Sequence, residues 1–224
     1  MNDFRKGQLW EVYDSLKRAI LQFDLKPGEK IREDVISKKL NCSRTPVREA
    51  IIRLEHDGLI EKIPHQGVFV KKFSVKELME INTVQELLEV PTALLALENR
   101  TEDDLAELRS NLDKCDRSLS EGDLTTYSIE SLRFHQLLYE ASKNVALTQI
   151  LQNVREKLII KSRINFLNME RIRLNLEDHR KIYECLARQD KERMGGLIRR
   201  HIAEAHENFL RIIKDRPELL YVSI

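Results

Sequence analysis

Residues 43–54 have the sequence SRTPVREAIIRL, and this stretch decides the fold of the chain. Its apolar residues recur at positions i, i+3, i+4 and i+7, which predicts a helix with one buried face. Ser43 and Thr45 are residue types favoured at a helix N-cap, and Pro46 suits the first helical position because its missing N–H is not needed there. Gly58 is typical of the position that follows a helix C-terminus. The stretch therefore predicts a short amphipathic helix that ends before Gly58.

Two arginines of this helix lie near its start and away from the apolar face. Arg44 and Arg48 are four residues apart, so they project from the same side of the helix. A helix that recognises the major groove needs such an arrangement, because its apolar face anchors it while arginines contact phosphates or guanine edges. A solvated amphipathic helix with surface arginines explains the same pattern, and the helix alone does not separate the two interpretations.

The sequence on both sides of the helix favours DNA binding. Residues 59–64 and 67–72 predict two strands, and His65-Gln66-Gly67 predicts the tight turn between them, with the permissive backbone supplied by the glycine. Upstream, we expect a helix over 9–23, a turn over 25–29 and a short second helix over 32–40. Three helices followed by a β-hairpin are typical of a winged helix-turn-helix domain.

This region resembles the GntR family of bacterial transcription regulators. The resemblance rests on the pattern S-R-T-P-V-R-E-A followed by P-x-x-G-x-x-V and extends over residues 9–72. It implies that Arg32 contacts the phosphate backbone, although a solvated turn charge is the alternative. The other residues that we expect at the DNA are those of the helix start and the wing tip, where the wing would meet the minor groove: Ser43, Arg44, Thr45, Arg48, His65, Gln66 and Gly67.

Composition places the chain among ordinary globular proteins. The 224 residues are 42% hydrophobic and 33% charged, which argues against disorder. No apolar run approaches the length of a membrane span, and no apolar signal core follows the N-terminus. Three widely spaced cysteines indicate neither a disulfide framework nor a zinc ribbon, so we expect a cytoplasmic protein. The excess of basic residues lies within 1–72, as expected when only one end contacts nucleic acid.

A second domain begins at a predicted capping box, Ser74-Val75-Lys76-Glu77. From there on, strand-like alternation is absent and helical periodicity continues to residue 214. We therefore expect a mainly α protein, with a winged helix-turn-helix domain over 1–73 and an all-α bundle of six or seven helices over 74–224. The predicted helices cover 75–98 with a disturbance at Pro91, 101–119, 124–142, 145–168, 174–189 and 190–214.

Three histidines of the second domain are candidates for metal binding. His135, His179 and His201 lie on three different predicted helices, and each has apolar residues at helical spacing, so each should point into the bundle. Three imidazoles that converge in a bundle core are suitable ligands for a divalent metal. A buried structural histidine is the alternative in each case, and His206 has similar apolar neighbours, so periodicity does not distinguish it from His201.

The bundle resembles the FCD domain found in FadR-type GntR regulators, over nearly all of 75–214. The motifs are F-H at 134–135, A-S-x-N at 141–144, D-H at 178–179 and H-I at 201–202. The resemblance implies that the three histidines hold a divalent metal, which helps to bind a small carboxylate effector.

Two positions depart from the usual FCD pattern. Ser131, with Glu130 beside it, stands where an acidic ligand is usual, and Gln85 replaces the arginine of an R-x-x-x-E motif that ends at Glu89. We expect Gln85, Ser131 and Arg163 to contact the effector. Imidazole ligands without a carboxylate favour zinc or nickel over manganese.

These expectations combine into a homodimeric regulator that binds a palindromic operator in double-stranded DNA and responds to a carboxylate, with no membrane partner and no enzymatic activity. Two alternatives remain at this stage. Three histidines with an open coordination position also occur in metal-dependent hydrolases, but the chain has no H-E-x-x-H, G-x-S-x-G or Gly-rich phosphate-binding motif. The second alternative is a DNA-binding protein that responds to no effector.

Overall fold

The computed structural model describes residues 2–220, with side chains from residue 7 onward. The protein is mainly helical, with a small three-stranded sheet, which confirms the expected fold class. None of the helices within 2–220 combines the length and the apolar character needed to cross a membrane. The elements, in chain order, are α1 (Asn2–Leu21), β1 (Lys30–Ile31), α2 (Glu33–Lys39), α3 (Arg44–His56), β2 (Ile60–Ile63), β3 (Gly67–Val70), α4 (Val75–Asn99), α5 (Glu102–Ser120), α6 (Leu124–Ala141), α7 (Val145–Lys157), α8 (Ile159–Asn165), α9 (Met169–Ala187), α10 (Lys191–Asp215) and a short 3₁₀ helix (Pro217–Leu220).

Backbone contacts divide the chain into two compact units. The first unit contains the residues up to Ser74 together with Pro217–Leu220, and the second contains Val75–Arg216. The expected domain bounds, 1–73 and 74–224, differ from this division at the C-terminal end, where the 3₁₀ helix groups with the first unit. The bounds themselves stay a prediction.

The predicted recognition helix is α3, and it begins two residues earlier than its proline suggested. Ser43 is the N-cap residue, with extended backbone angles and no hydrogen bond from its side chain to the helix. Pro46 is therefore the third helical residue and not the first. The position still tolerates proline because the first N–H groups of a helix have no partner within the helix. The apolar face packs against α1, and its buried residues are Pro46, Val47, Ala50, Ile51 and Leu54.

The wing is a β-hairpin to which a short third strand is added. The strand order is β1-β3-β2, with both pairs antiparallel. The two-residue strand β1 was not predicted, because so short a segment carries no periodicity. At the tip of the hairpin, Ile63 pairs with Gly67, and His65 has a φ of 62° in the left-handed region. Gly67 has a φ of 118°, a backbone conformation that other residues rarely adopt, so glycine suits this position.

The second unit contains seven α-helices, α4 to α10, in agreement with the expected bundle of six or seven. Its α5 begins with a complete capping box, in which Thr101 and Asp104 each accept a hydrogen bond from the backbone N–H of the other. Pro91 lies inside α4, which continues through it. Phe134, Leu138 and Ile182 are fully buried members of the core that these helices enclose.

Two helix boundaries in this unit differ from the sequence prediction. The helix predicted over 145–168 is divided at Leu158 into α7 and α8. The helix predicted from Leu174 begins earlier, at Met169, because the Asn168 side chain caps it and accepts hydrogen bonds from the backbone N–H groups of Glu170 and Arg171.

Candidate DNA interface and metal–effector site

The outward face of α3 presents both predicted arginines. Arg44 and Arg48 are exposed, and the Nε of Arg48 donates a hydrogen bond to Oε2 of Glu33 over 2.7 Å. Glu33 is the first residue of α2, so this pair links the two helices of the helix-turn-helix. The Arg48 side chain remains 61% exposed, which leaves it accessible to a base or a phosphate. Glu33 was not predicted as part of this surface.

The remaining predicted DNA contacts lie at three exposed places of the first unit. Ser43 and Thr45 are exposed at the start of α3, and Arg32 is exposed at the N-cap of α2, without a hydrogen bond from its side chain to that helix. His65 and Gln66 are exposed at the tip of the hairpin, where the backbone N–H of Gln66 donates to the carbonyl of Ile63 over 3.1 Å.

In the second unit, His135, His179 and His201 come together from α6, α9 and α10. All three are buried, and each offers a ring nitrogen within 4.8 Å of the nitrogens offered by the other two. The Nε2 atoms of His135 and His179 are 3.1 Å apart. His206, which periodicity did not separate from His201, is only half-buried and lies outside this group.

Neighbouring side chains contact all three rings. The Nδ1 of His135 lies 2.9 Å from Oε1 of the fully buried Glu89. The ring of His179 stacks on Phe134 with a centroid distance of 4.2 Å. The Nδ1 of His201 lies 3.5 Å from Oδ2 of Asp178, which accepts a hydrogen bond from Arg171. Carboxylates behind two of three ligand candidates are the usual outer partners of metal-binding histidines.

Burial determines the charges within this cluster. Burial, together with the positive charge of Arg155, lowers the pKa of His135 to about 3. Burial and the adjacent rings of His135 and His201 lower the pKa of His179 well below its ordinary value. Burial alone would raise the pKa of Glu89, but the interactions with His135, Arg155 and Gln85 together outweigh it and hold that pKa well below its usual range. At neutral pH the pair is therefore a neutral imidazole beside a carboxylate.

The charges imply a tautomer for His135. A neutral His135 donates its Nδ1–H to Glu89, which leaves the lone pair on Nε2 as an acceptor or a metal ligand. The Nδ1 of His179 has no hydrogen-bond partner among the described residues. Neutral rings with lone pairs that converge, and a buried ring nitrogen without a partner, are features expected of a metal site.

A small cavity lies next to the triad and is lined by cations. Arg155 of α7 and Lys161 of α8 line it together with His135 and His201. The Nε of Arg155 is buried and has no hydrogen-bond partner among the described residues, and its Nη1 is 3.9 Å from Oε2 of Glu89. The buried Lys161 donates a hydrogen bond to Oδ1 of Asn82, and burial lowers the pKa of its amine to about 7. The cavity thus combines a metal-type triad with two positive side chains.

The two halves of the chain match two known families. Residues 10–70 match the bacterial regulatory proteins of the gntR family, and residues 80–204, more than half of the chain, match the FCD domain. The chain belongs to the GntR regulators that carry an FCD domain. This membership confirms the resemblance found in the sequence, including the FadR subgroup.

Similar proteins support the same assignment along the whole chain. The uncharacterized HTH-type transcriptional regulator YdhC of Bacillus subtilis is 27% identical over 223 residues, covering 97% of this chain and 100% of YdhC. The HTH-type transcriptional regulator McbR of Escherichia coli is 27% identical over 207 residues, covering 90% and 94% of the two chains. The solved structure of E. coli McbR/YncC matches with a TM-score of 0.80 at 25% identity, over 94% of this chain and 98% of that one. These proteins are transcriptional regulators and not enzymes, so this GntR/FCD protein is a DNA-binding transcriptional regulator and the hydrolase alternative falls.

The structure separates the three effector contacts predicted for this GntR/FCD protein. Gln85 and Ser131 line the cavity beside the triad. Arg163 is not among the lining residues, and the cations found there are Arg155 and Lys161. Both were missed because their burial depends on the other helices that pack around the cavity, which the sequence of one helix does not show. The sequence did contain one indication of a buried cation: Lys161 stands between the apolar residues Ile160 and Ile164.

The acidic ligand usual in FCD domains has no direct substitute at positions 130 and 131. The buried Ser131 accepts a hydrogen bond from Asn175 over 3.1 Å, so its hydroxyl faces the interior. Glu130 accepts a hydrogen bond from Asn111 of α5 over 2.7 Å and does not line the cavity. The carboxylate that approaches the triad most closely from α4 is Glu89, and it contacts the Nδ1 side of His135.

Proposed function

We propose that this regulator controls transcription by binding an operator as a homodimer, with an affinity set by a small carboxylate that binds beside a divalent metal in the FCD domain. The observation that carries the proposal is the triad of buried imidazoles next to a cavity lined by Arg155 and Lys161. A carboxylate site needs positive charge, and a metal site needs deprotonated ligands, and the described residues provide both.

His135, His179 and His201 would hold the metal. Three imidazoles favour zinc or nickel, which suit nitrogen ligands, over manganese, which prefers oxygen. The bound ion would supply a positive charge that attracts an anionic effector. Glu89 contacts the ring of His135, and Asp178 lies behind His201. These rings are therefore partly oriented before a metal binds, which lowers the entropic cost of metal binding.

Arg155 and Lys161 would bind the effector carboxylate, and Gln85 would add an amide. The guanidinium of Arg155 can form two parallel hydrogen bonds with a carboxylate, whereas the Lys161 amine acts as a point charge. Arg155 lies on α7 and Lys161 on α8, on either side of Leu158. An effector that binds both side chains would therefore favour one angle between the two helices. Such a bias alters DNA affinity only if the effector binds the two conformations unequally.

The DNA-binding unit would act as one of a pair. One recognition helix contacts only a few base pairs, so two copies bound to a palindromic operator recognise a longer and more specific sequence. The regulator would act in the bacterial cytoplasm, where the DNA is. Arg44 and Arg48 would enter the major groove, Ser43 and Thr45 would bind the backbone at the helix start, and His65, Gln66 and Gly67 would place the wing at the minor groove. Arg32 would contact a phosphate.

The experiment that tests this function combines metal analysis with ligand screening. Purified protein is analysed for metals and for small molecules carried through native purification, and its melting temperature is then measured against a library of carboxylates with and without added zinc. We expect one metal per chain and a carboxylate whose stabilisation requires the metal and changes operator affinity. Equal operator affinity with every stabilising carboxylate would contradict effector control, and a monomer by light scattering would contradict the dimer.

Effector binding should depend on pH through Lys161. Because burial lowers the pKa of this amine to about 7, the positive charge is present below pH 7 and is lost above it. Affinity for a carboxylate should therefore fall roughly tenfold between pH 6 and pH 8. His135 stays neutral and Glu89 stays charged over this range, and Arg155 keeps its charge.

Isothermal titration at pH 6, 7 and 8 measures this dependence, with Lys161→Arg as the matched control. Arginine stays charged, so this variant should bind with little change across the range. A pH dependence that is as steep in Lys161→Arg as in the wild type would rule out Lys161 as its source.

Ser131→Asp should raise metal affinity, most of all for manganese, and lower carboxylate affinity. The substitution adds a negative oxygen ligand at a buried position that lines the cavity, which suits harder ions and cancels part of the charge that attracts the effector. Calorimetry with manganese, zinc and the carboxylate measures both changes. Glu130→Ala is the control: its side chain is held by Asn111, so the metal should remain, and loss of the metal in this variant would show that Glu130 is a ligand.

A further inference from the structure

The exposed side of the recognition helix carries a large apolar side chain. Ile52 is 63% exposed in α3, whereas its neighbour Ile51 is buried in the core of the same unit. An α-helix turns by about 100° per residue, so Ile52 lies about 200° from the fully buried Leu54. The buried face of α3 therefore does not need Ile52, and the residue stands on the side of the helix that faces away from the core.

Ile52 shares this side with the residues expected at the bases. Thr45 precedes it by seven residues and Arg48 by four, so the three side chains form one row along the exposed surface of α3. The row continues the surface that Arg48 and Glu33 begin, where the guanidinium is held by a 2.7 Å hydrogen bond. An isoleucine in this row is one turn, about 5.4 Å, beyond the arginine.

The chemistry of the major groove indicates what this side chain binds. Among the groups that base pairs display there, the C5-methyl of thymine is the apolar one, and the others donate or accept hydrogen bonds. A β-branched side chain in a helix has one strongly preferred rotamer, so Ile52 presents a rigid apolar surface at little entropic cost. The other groups at the base edges, the phosphates and water are polar, so an isoleucine side chain gains less from contact with them than from contact with the thymine methyl group.

We propose that Ile52 packs against the C5-methyl group of a thymine in each operator half-site and so determines specificity at that base pair. One helical turn separates Ile52 from Arg48, and bases are spaced 3.4 Å apart along a strand. The thymine therefore lies within about two base pairs of the base that Arg48 contacts. This inference rests on α3 being the recognition helix, as proposed above.

Deoxyuridine tests the contact, because it differs from thymine only by the methyl group. The probe is a duplex that the wild-type protein selects from a random library, in which each thymine is replaced singly by deoxyuridine. At one thymine per half-site, the replacement should weaken binding by wild-type protein about fourfold, as expected for one buried methyl group. Every other replacement should have a smaller effect.

Ile52→Ala should bind the unmodified duplex several-fold more weakly and should lose the distinction between thymine and deoxyuridine at that position. Val35→Ala is the matched control, since Val35 is an exposed apolar residue on α2 of the same unit, and it should retain the distinction. Circular dichroism checks that both variants fold. Because Ile52 contributes nothing to the buried face, we expect the melting temperature to be unchanged.

Three results would overturn the inference: selected half-sites without thymine, no thymine at which deoxyuridine weakens binding, or a deoxyuridine effect that persists unchanged in Ile52→Ala. Arg48→Ala separates these failures from a failure of the recognition helix itself. If Arg48→Ala weakens binding while deoxyuridine has no effect, only the thymine contact is wrong. If neither change matters, α3 does not read the bases and both proposals fall.

Discussion

His179→Ala should abolish metal binding at the site proposed in the FCD domain, whereas His206→Ala should leave it intact. The ring of His179 is fully buried, its Nε2 lies 3.1 Å from that of His135, and its centroid lies 5.0 Å from that of His201. With one of three imidazoles removed, only two of the three ring nitrogens remain to hold the ion. Loss of an outer partner of a metal ligand already costs about 10–100-fold in affinity, so loss of a ligand should cost more than about 100-fold.

Elemental analysis after dialysis measures the metal content of both variants and of the wild type. His206 is the matched control because it lies on α10, as His201 does, but outside the triad and only half-buried. His179 also stacks on Phe134, so its removal creates a cavity and should lower stability by itself. The melting temperatures of His179→Ala and the wild type are therefore also compared in the presence of a chelator. Without metal, any difference between them comes from the lost packing of the His179 ring. Equal metal content in His179→Ala and the wild type would refute the triad as the site.

The sequence predicted the DNA-binding unit well because its signals are local. The apolar spacing within 43–54, Gly58 after the helix and the turn before Gly67 each act within a few residues, and α3, β2 and β3 are where these signals placed them. The predicted start of α3 was wrong by two residues, because Ser43 and Pro46 are both residue types typical of a helix N-terminus and indicate different starting points. The cap at Ser43 is the one used.

The interior of the FCD domain was predicted less completely because it depends on tertiary contacts. Periodicity indicated that His135, His179 and His201 point inward, and the structure brings the three together. It did not separate His201 from His206, since both have apolar neighbours on α10. Which of the two histidines meets the other rings depends on the helices that pack against α10, and the sequence of α10 alone does not show which helices these are.

The charged residues around the triad were missed for the same physical reason. Glu89, Arg155 and Lys161 are buried or nearly so, and a charge is stable in the interior only when a partner from another element compensates it. Such partners are distant in sequence: Glu89 on α4 contacts His135 on α6.

Arg48→Ala should weaken operator binding by about 1–3 kcal/mol and relax specificity at one base pair per half-site, as expected when a bidentate contact with guanine is lost. Arg48 stands on the exposed face of α3, and its hydrogen bond with Glu33 holds the guanidinium in one orientation before DNA arrives. Preorganisation of this kind lowers the entropic cost of forming the contact. Glu33→Gln keeps a hydrogen-bond acceptor but removes the charge, so it should weaken binding less than Arg48→Ala does.

Arg32→Ala provides the contrast, because a phosphate contact carries no sequence information. Arg32 is exposed at the N-cap of α2, and its loss should weaken binding to all sequences alike and reduce the salt dependence by about one unit of slope. Binding of each variant to the selected operator and to single-base variants, at several salt concentrations, separates the two kinds of contact. If Arg48→Ala folds and binds the operator with unchanged affinity, the guanidinium held by Glu33 serves only to join α2 to α3. The assignment of the outward face of α3 to the major groove would then be wrong.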